Sequence, residues 1–149
     1  MNLESRIVYE RYMAAFFKVT KRMYNELRNS LEDELTLEQY QLIDYIATRG
    51  EVTSTELADV FSVGKSSITA ITTRLTDREI LKRNRDESDR RIVYLSLAEY
   101  GKVLHSRTRK QILDVISAYM VHYSKDEIEG FIQTFEKLAN MMEKGSGES

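Results

Sequence analysis

The residues with the most chemical promise lie in Lys65-Ser66-Ser67-Ile68-Thr69-Ala70-Ile71-Thr72-Thr73-Arg74. With Ile68, Ile71 and Leu75 turned inward at helical spacing, Lys65, Ser66, Thr69 and Thr73 face outward, with Ser67 and Arg74 near the edge. Short hydroxyl side chains let a helix backbone approach a duplex closely, donate to phosphates or base edges, and bring methyls to thymine methyls. Thr69, Thr72, Thr73 and Thr76 have lower helix propensity than the glutamate or lysine that would serve solubility, which favours contact over a merely polar surface. A second group follows in Asp86-Glu87-Ser88-Asp89-Arg90-Arg91, where Arg90 or Arg91 at a hairpin tip could enter a minor groove. Asp89 and Arg91, two apart in an extended segment, can pair and hold the loop's shape.

Other chemistries lack their parts. The chain has no cysteine, and its two histidines, His105 and His122, are seventeen residues apart, so no metal site and no cofactor are expected. There is no Gly-rich phosphate loop and no nucleophile beside a plausible base, so no enzyme is expected. The longest apolar run, Met13 to Phe17, is five residues, too short for a membrane span, and the polar start does not read as a signal peptide. A cytoplasmic protein is the expectation.

The net charge of −2 divides unevenly. Residues 63–95 hold eight basic and five acidic side chains, a balance of +3, which leaves 14 basic and 19 acidic elsewhere, −5. A basic stripe on an acidic body admits DNA at one face and repels it at others.

The elements that must position these groups follow from periodicity. Tyr9, Tyr12, Phe16, Val19, Met23 and Leu27 give a long first helix one apolar stripe, widened by Met13, Phe17, Tyr24 and Leu31. Thr36 and Gln39 form a capping box that opens a helix at Leu37, ending near Arg49 before Gly50. Thr53 and Glu56 repeat the device for a short helix carrying Leu57, Ala58 and Phe61. Ser62-Val63-Gly64 then breaks the pattern before a helix from about Lys65 to Arg78, which makes a helix-turn-helix. Leu81–Arg85 and Ile92–Leu97 read as strands of a hairpin around the charged loop. Two further helices follow, separated at Tyr123-Ser124-Lys125, with Ser124 and Glu127 as a third capping box. Their stripes, ending in Ile128, Phe131, Ile132, Phe135, Leu138 and Met142, exceed what the central unit can cover, which points to a second copy of the chain.

At these residues the sequence resembles the MarR-type (multiple antibiotic resistance) regulators. The run Asp86 to Arg91 followed by Val93, Leu95, Leu97 and Gly101 is similar to that family's wing, and Leu35-Thr36, Gln39, Glu56-Leu57-Ala58, Ser67-Ile68-Thr69 and Leu75 match its other landmarks, from about residue 5 to 144. The resemblance implies a mainly α fold with a small β-hairpin wing: a winged helix-turn-helix core over about 35–97, with dimerisation helices over about 5–31 and 99–144. Residues 1–144 would form one domain and 145–149 a disordered tail. It further implies a homodimeric transcription regulator, a repressor on a palindromic operator in double-stranded DNA. Lys65, Ser66, Ser67, Thr69 and Thr73 would read the major groove, Arg90 or Arg91 would enter the minor groove, and Asp89 and Arg91 would form the family's wing bridge. Release by a small aromatic effector is part of the same picture, and Tyr12, Phe16, Tyr40 and Tyr45 lie where the family keeps its pocket, although aromatic stripes at helical spacing more often pack as core.

Three residues depart from the pattern: Glu79 stands for a glycine after the recognition helix, Ala98 for a capping threonine, and Glu87 for a proline that would stiffen the wing tip. The competing reading is a winged-helix protein-interaction module without DNA binding, which would not need the basic stripe from Lys65 to Arg91.

Overall fold

A computed structural model describes residues 2–31 and 34–145. Among the described residues nine elements follow in order: α1 (Leu3–Ser30), α2 (Leu37–Arg49), β1 (Val52–Thr53), α3 (Ser54–Val60), α4 (Lys65–Asp77), β2 (Leu81–Arg85), β3 (Val93–Leu97), α5 (Glu99–Met120) and α6 (Lys125–Gly145). They fall into two units, Met1–Ile112 and Leu113–Ser149. The protein is mainly α with a small antiparallel sheet, a winged helix-turn-helix.

In the first unit the caps set where helices begin. The Thr36 hydroxyl accepts from the Gln39 N–H and the Gln39 side chain accepts from the Thr36 N–H, both at 3.1 Å, so the box opening α2 is complete. At α3 only half of it forms. Thr53 accepts from the Glu56 N–H, but the Glu56 carboxylate turns instead to the Tyr45 hydroxyl at 2.8 Å and the Arg49 guanidinium at 3.7 Å. A tertiary partner has won over the local one.

The turn between α3 and α4 is a Schellman motif: Ser62 takes φ 51°, its N–H donates to the Asp59 carbonyl, and the Val63 N–H donates to the Ala58 carbonyl. The end of α4 repeats it, with Glu79 at φ 60°, Glu79 N–H on the Thr76 carbonyl and Ile80 N–H on the Leu75 carbonyl.

The wing strands β2 and β3 pair antiparallel from Leu81 opposite Leu97 to Arg85 opposite Val93. A strand not foreseen from the sequence, β1, adds to the other edge of β3, with Val52 opposite Leu95, giving the order β1-β3-β2. Two residues are too few for a period to show, and the pairing reaches across the chain.

Leu42, Ile43, Ile46, Leu57, Ile68, Leu75, Ile80, Leu81, Leu95 and Leu104 are fully buried. Truncating any one of them would cost about 2–5 kcal/mol, against about 1 kcal/mol for a lost cap, so the core holds this unit and the caps set its boundaries. Helix α5 joins it at Gly101, where an added Cβ would lie 2.0 Å from the Ile80 carbonyl oxygen. That same carbonyl accepts the Ala98 N–H at 3.0 Å, and the Ala98 carbonyl accepts the Lys102 N–H, so Ala98 serves the start of α5 through its backbone.

Helix α1 has no buried residue, and Tyr9, Tyr12, Phe16, Phe17 and Tyr24 are exposed along it. In the second unit α6 opens on a complete capping box, Glu127 N–H to the Ser124 hydroxyl and Ser124 N–H to the Glu127 carboxylate. It too buries nothing, leaving Phe131, Ile132, Phe135, Leu138 and Met142 exposed, the two phenylalanine rings stacked at 5.4 Å. Gly145, expected to begin the tail, is the last residue of α6, and 146–149 lie outside the described residues. Among the described residues no helix is long and apolar enough to cross a membrane.

Candidate nucleic-acid interface

Helix α4 buries Ile68, Thr72 and Leu75, which leaves Lys65, Ser66, Ser67, Thr69 and Arg74 exposed and Thr73 half-buried. Its threonines are less free than their type suggests. Thr69 donates to the Lys65 carbonyl at 2.8 Å, Thr72 to the Ile68 carbonyl at 2.8 Å and Thr76 to the Thr72 carbonyl at 2.7 Å. Such bonds satisfy a hydroxyl within its own helix, so β-branching here does not by itself mark a contact residue. Thr69 still offers lone pairs and a methyl group outward. Thr73 differs: it accepts from Arg83 Nη2 on β2 at 2.7 Å, and the same nitrogen reaches the Thr72 hydroxyl at 3.2 Å.

The wing tip is tied by its own acids. Asp86 accepts the N–H groups of Ser88 and Asp89 at 2.8 and 2.9 Å, which holds the turn where Glu87 replaces a stiffening proline. Asp89 grips Arg91 with both oxygens, at 3.0 and 3.1 Å, and also accepts its backbone N–H. The Arg91 guanidinium and N–H beside it hold the Asp89 carboxyl below the ordinary carboxylate value. Arg85 donates to the Arg90 carbonyl at 2.9 Å, while the exposed Arg90 guanidinium has no ion pair among the described residues. Of the two tip arginines, Arg90 carries the uncompensated charge.

The MarR family model matches residues 35–93, from the approach to α2 through the start of β3. Over residues 35–93 the chain is MarR-like. An uncharacterised HTH-type transcriptional regulator of Bacillus subtilis, YpoP, is 28% identical over 121 residues, 81% of this chain and 86% of that protein. A cysteine-to-serine mutant of E. coli MarR, solved with operator DNA, superposes with a TM-score of 0.75 at 19% identity, covering 93% of this chain and 99% of that one. Streptococcus pneumoniae FabT, solved in complex with DNA, gives 0.75 at 21% identity over 94% and 98%. At these identities the two structures establish a common fold.

The four aromatic residues considered for an effector pocket have different surroundings, and two of them, Tyr12 and Phe16, lie outside the matched residues. Tyr12 and Phe16 stack on each other at 5.7 Å on the exposed side of α1. Tyr40 is buried against the His105 ring at 6.1 Å, and burial together with the Asp44 charge pushes its phenol up to about 12. Tyr45 packs edge-on to Phe61, lies under the Arg49 guanidinium at 3.6 Å and donates to Glu56. Tyr40 and Tyr45 are five residues apart, which sends them from α2 at roughly 140° to each other.

Two polar junctions have no signal in local spacing. His105 on α5 meets Asp44 on α2 at 2.7 Å. Glu34 accepts from the Tyr100 hydroxyl and from Arg107, each at 2.7 Å, and its carbonyl accepts from Arg78 at the end of α4. These bonds hold Glu34 below its ordinary pKa, chiefly through Tyr100, and raise the Tyr100 phenol in turn.

Proposed function

We propose that this protein is a sequence-specific DNA-binding transcription regulator, a repressor that binds a palindromic operator as a homodimer. The observation that carries the reading is a single surface within the MarR-like residues 35–93: the outward residues Lys65, Ser66, Ser67, Thr69, Thr73 and Arg74 of α4, flanked by a wing whose tip bears an unpaired Arg90. Helix α4 enters the major groove in this reading, Thr69 and Thr73 meet base edges, and Lys65 and Arg74 meet phosphates. Arg90 enters the minor groove, and Arg91 holds the tip through Asp89. Two proteins of the same fold, MarR and FabT, were solved in complex with DNA, which supports DNA binding as the use of this fold. Homodimerisation is supported by the exposed apolar faces of α1 and α6, which a second copy would cover. An aromatic effector has thinner support, since Tyr12 and Phe16 would line a cavity only where another surface covers α1.

The test is a gel shift against the region upstream of the protein's own gene, with salt varied. Tight, salt-dependent binding that exceeds binding to random duplex is expected. Equal and weak binding to both would leave the protein-interaction module as the better reading.

A further inference from the structure

We propose that Arg83 is a specificity-determining residue of the DNA-reading surface, holding the Thr73 hydroxyl as an outward-facing donor. This rests on the DNA-binding reading above. A threonine hydroxyl has one proton and two lone pairs. On α4 the protons of Thr69, Thr72 and Thr76 are spent on the helix's own carbonyls. Thr73 makes no such bond among the described residues and instead accepts from Arg83 Nη2 at 2.7 Å. With that lone pair engaged by a cation, the Thr73 proton turns away from the guanidinium, toward whatever approaches the half-open face of α4.

Arg83 is well anchored for this. Its backbone lies in the β2–β3 ladder opposite the buried Leu95, and the same Nη2 also reaches the buried Thr72 hydroxyl at 3.2 Å. Two acceptors on successive residues thus engage the two N–H bonds of one planar nitrogen, Nη2, which lies one bond farther from the backbone than a lysine ammonium would. No carboxylate pairs with Arg83 among the described residues, so its charge also stands available to a phosphate beside α4. The wing strand and the reading helix thus meet at one guanidinium.

Charge and geometry separate in the test. A duplex enriched by the wild-type protein from a randomised pool, and a random duplex, are titrated by fluorescence anisotropy at several salt concentrations. Arg83→Lys should keep the affinity for random duplex and the salt slope while losing about tenfold on the enriched duplex. Thr73→Val should lose a similar factor, and the double variant no more than either single one, because both remove the same device. Thr73→Ser, which keeps the hydroxyl, should retain the preference. In the free protein, nitrogen-resolved NMR should find the Arg83 guanidinium protons slowed in exchange, and Thr73→Val should release them, a readout that needs no DNA. Arg83→Lys binding the enriched duplex like wild type, losses that multiply in the double variant, equal loss on both duplexes, or a guanidinium already free in the wild type would each overturn the proposal. A wild-type protein that enriches no sequence would bring down the DNA-binding reading, and this proposal with it. A wild type that enriches one while the variants match it would bring down this proposal alone.

Discussion

Glu79 sits at a backbone geometry that glycine occupies at least cost. At φ 60° a Cβ crowds the neighbouring carbonyl, and a non-glycine residue there costs on the order of 1 kcal/mol, partly offset because glycine is freer in the unfolded chain. Glu79→Gly should therefore raise stability by about 0.5–1 kcal/mol in urea unfolding, with the slope unchanged. A neutral or destabilising result would show that the Glu79 backbone carries no strain of that size. Asp89 gives a pH prediction. Its folded pKa is depressed by Arg91, so the order it lends the wing is present above the ordinary carboxylate value of 3.8 and is lost as pH falls through the lower folded value. The Asp89 carboxyl should titrate below 3.8 by NMR in the wild type and return toward it in Arg91→Ala. An unshifted Asp89 in the wild type would show that the bridge is not held in solution. The bridge was legible in the sequence because its partners are two residues apart; Arg83 with Thr73, or Glu34 with Tyr100 and Arg107, were not, because those pairs are joined only by the fold.

Among the glycines of the described residues, Gly101 on α5 comes closest to a neighbouring backbone. Gly101→Ala would drive a Cβ into the Ile80 carbonyl, a backbone atom that cannot swing aside and already receives the Ala98 N–H. A loss of about 3 kcal/mol is expected in thermal or urea unfolding, at the upper end for overpacking. A loss below about 1 kcal/mol would show that α5 shifts easily there. On the proposed reading the wing divides its labour between neighbouring arginines. Arg90→Ala should lower the salt slope of DNA binding by about one and leave stability alone, whereas Arg91→Ala should loosen the tip. If the two variants behaved alike, the division would be wrong. Element boundaries were largely readable, since the Thr36–Gln39 and Ser124–Glu127 boxes open α2 and α6 where their spacing put them. The Thr53–Glu56 box was half wrong because Tyr45 and Arg49, distant in spacing but adjacent in space, claim the carboxylate.

For the whole molecule the test is removal of α6. Deleting the chain after Tyr123 takes away no residue assigned to DNA, yet should leave insoluble or monomeric protein with little operator affinity, read by light scattering and gel shift. A stable full-length monomer at micromolar concentration that still bound a palindrome tightly would defeat the dimer. The apolar faces were legible as stripes at helical spacing, but what covers them was not, because a stripe records only that burial is wanted. The buried core lies within residues 31–112, and neither α1 nor α6 contributes a residue to it. If those helices are completed by a second copy, melting ceases to be a property of the chain alone. By mass action the midpoint should climb with protein concentration, and in the cell the folded fraction of this regulator would depend on how much of it has been made.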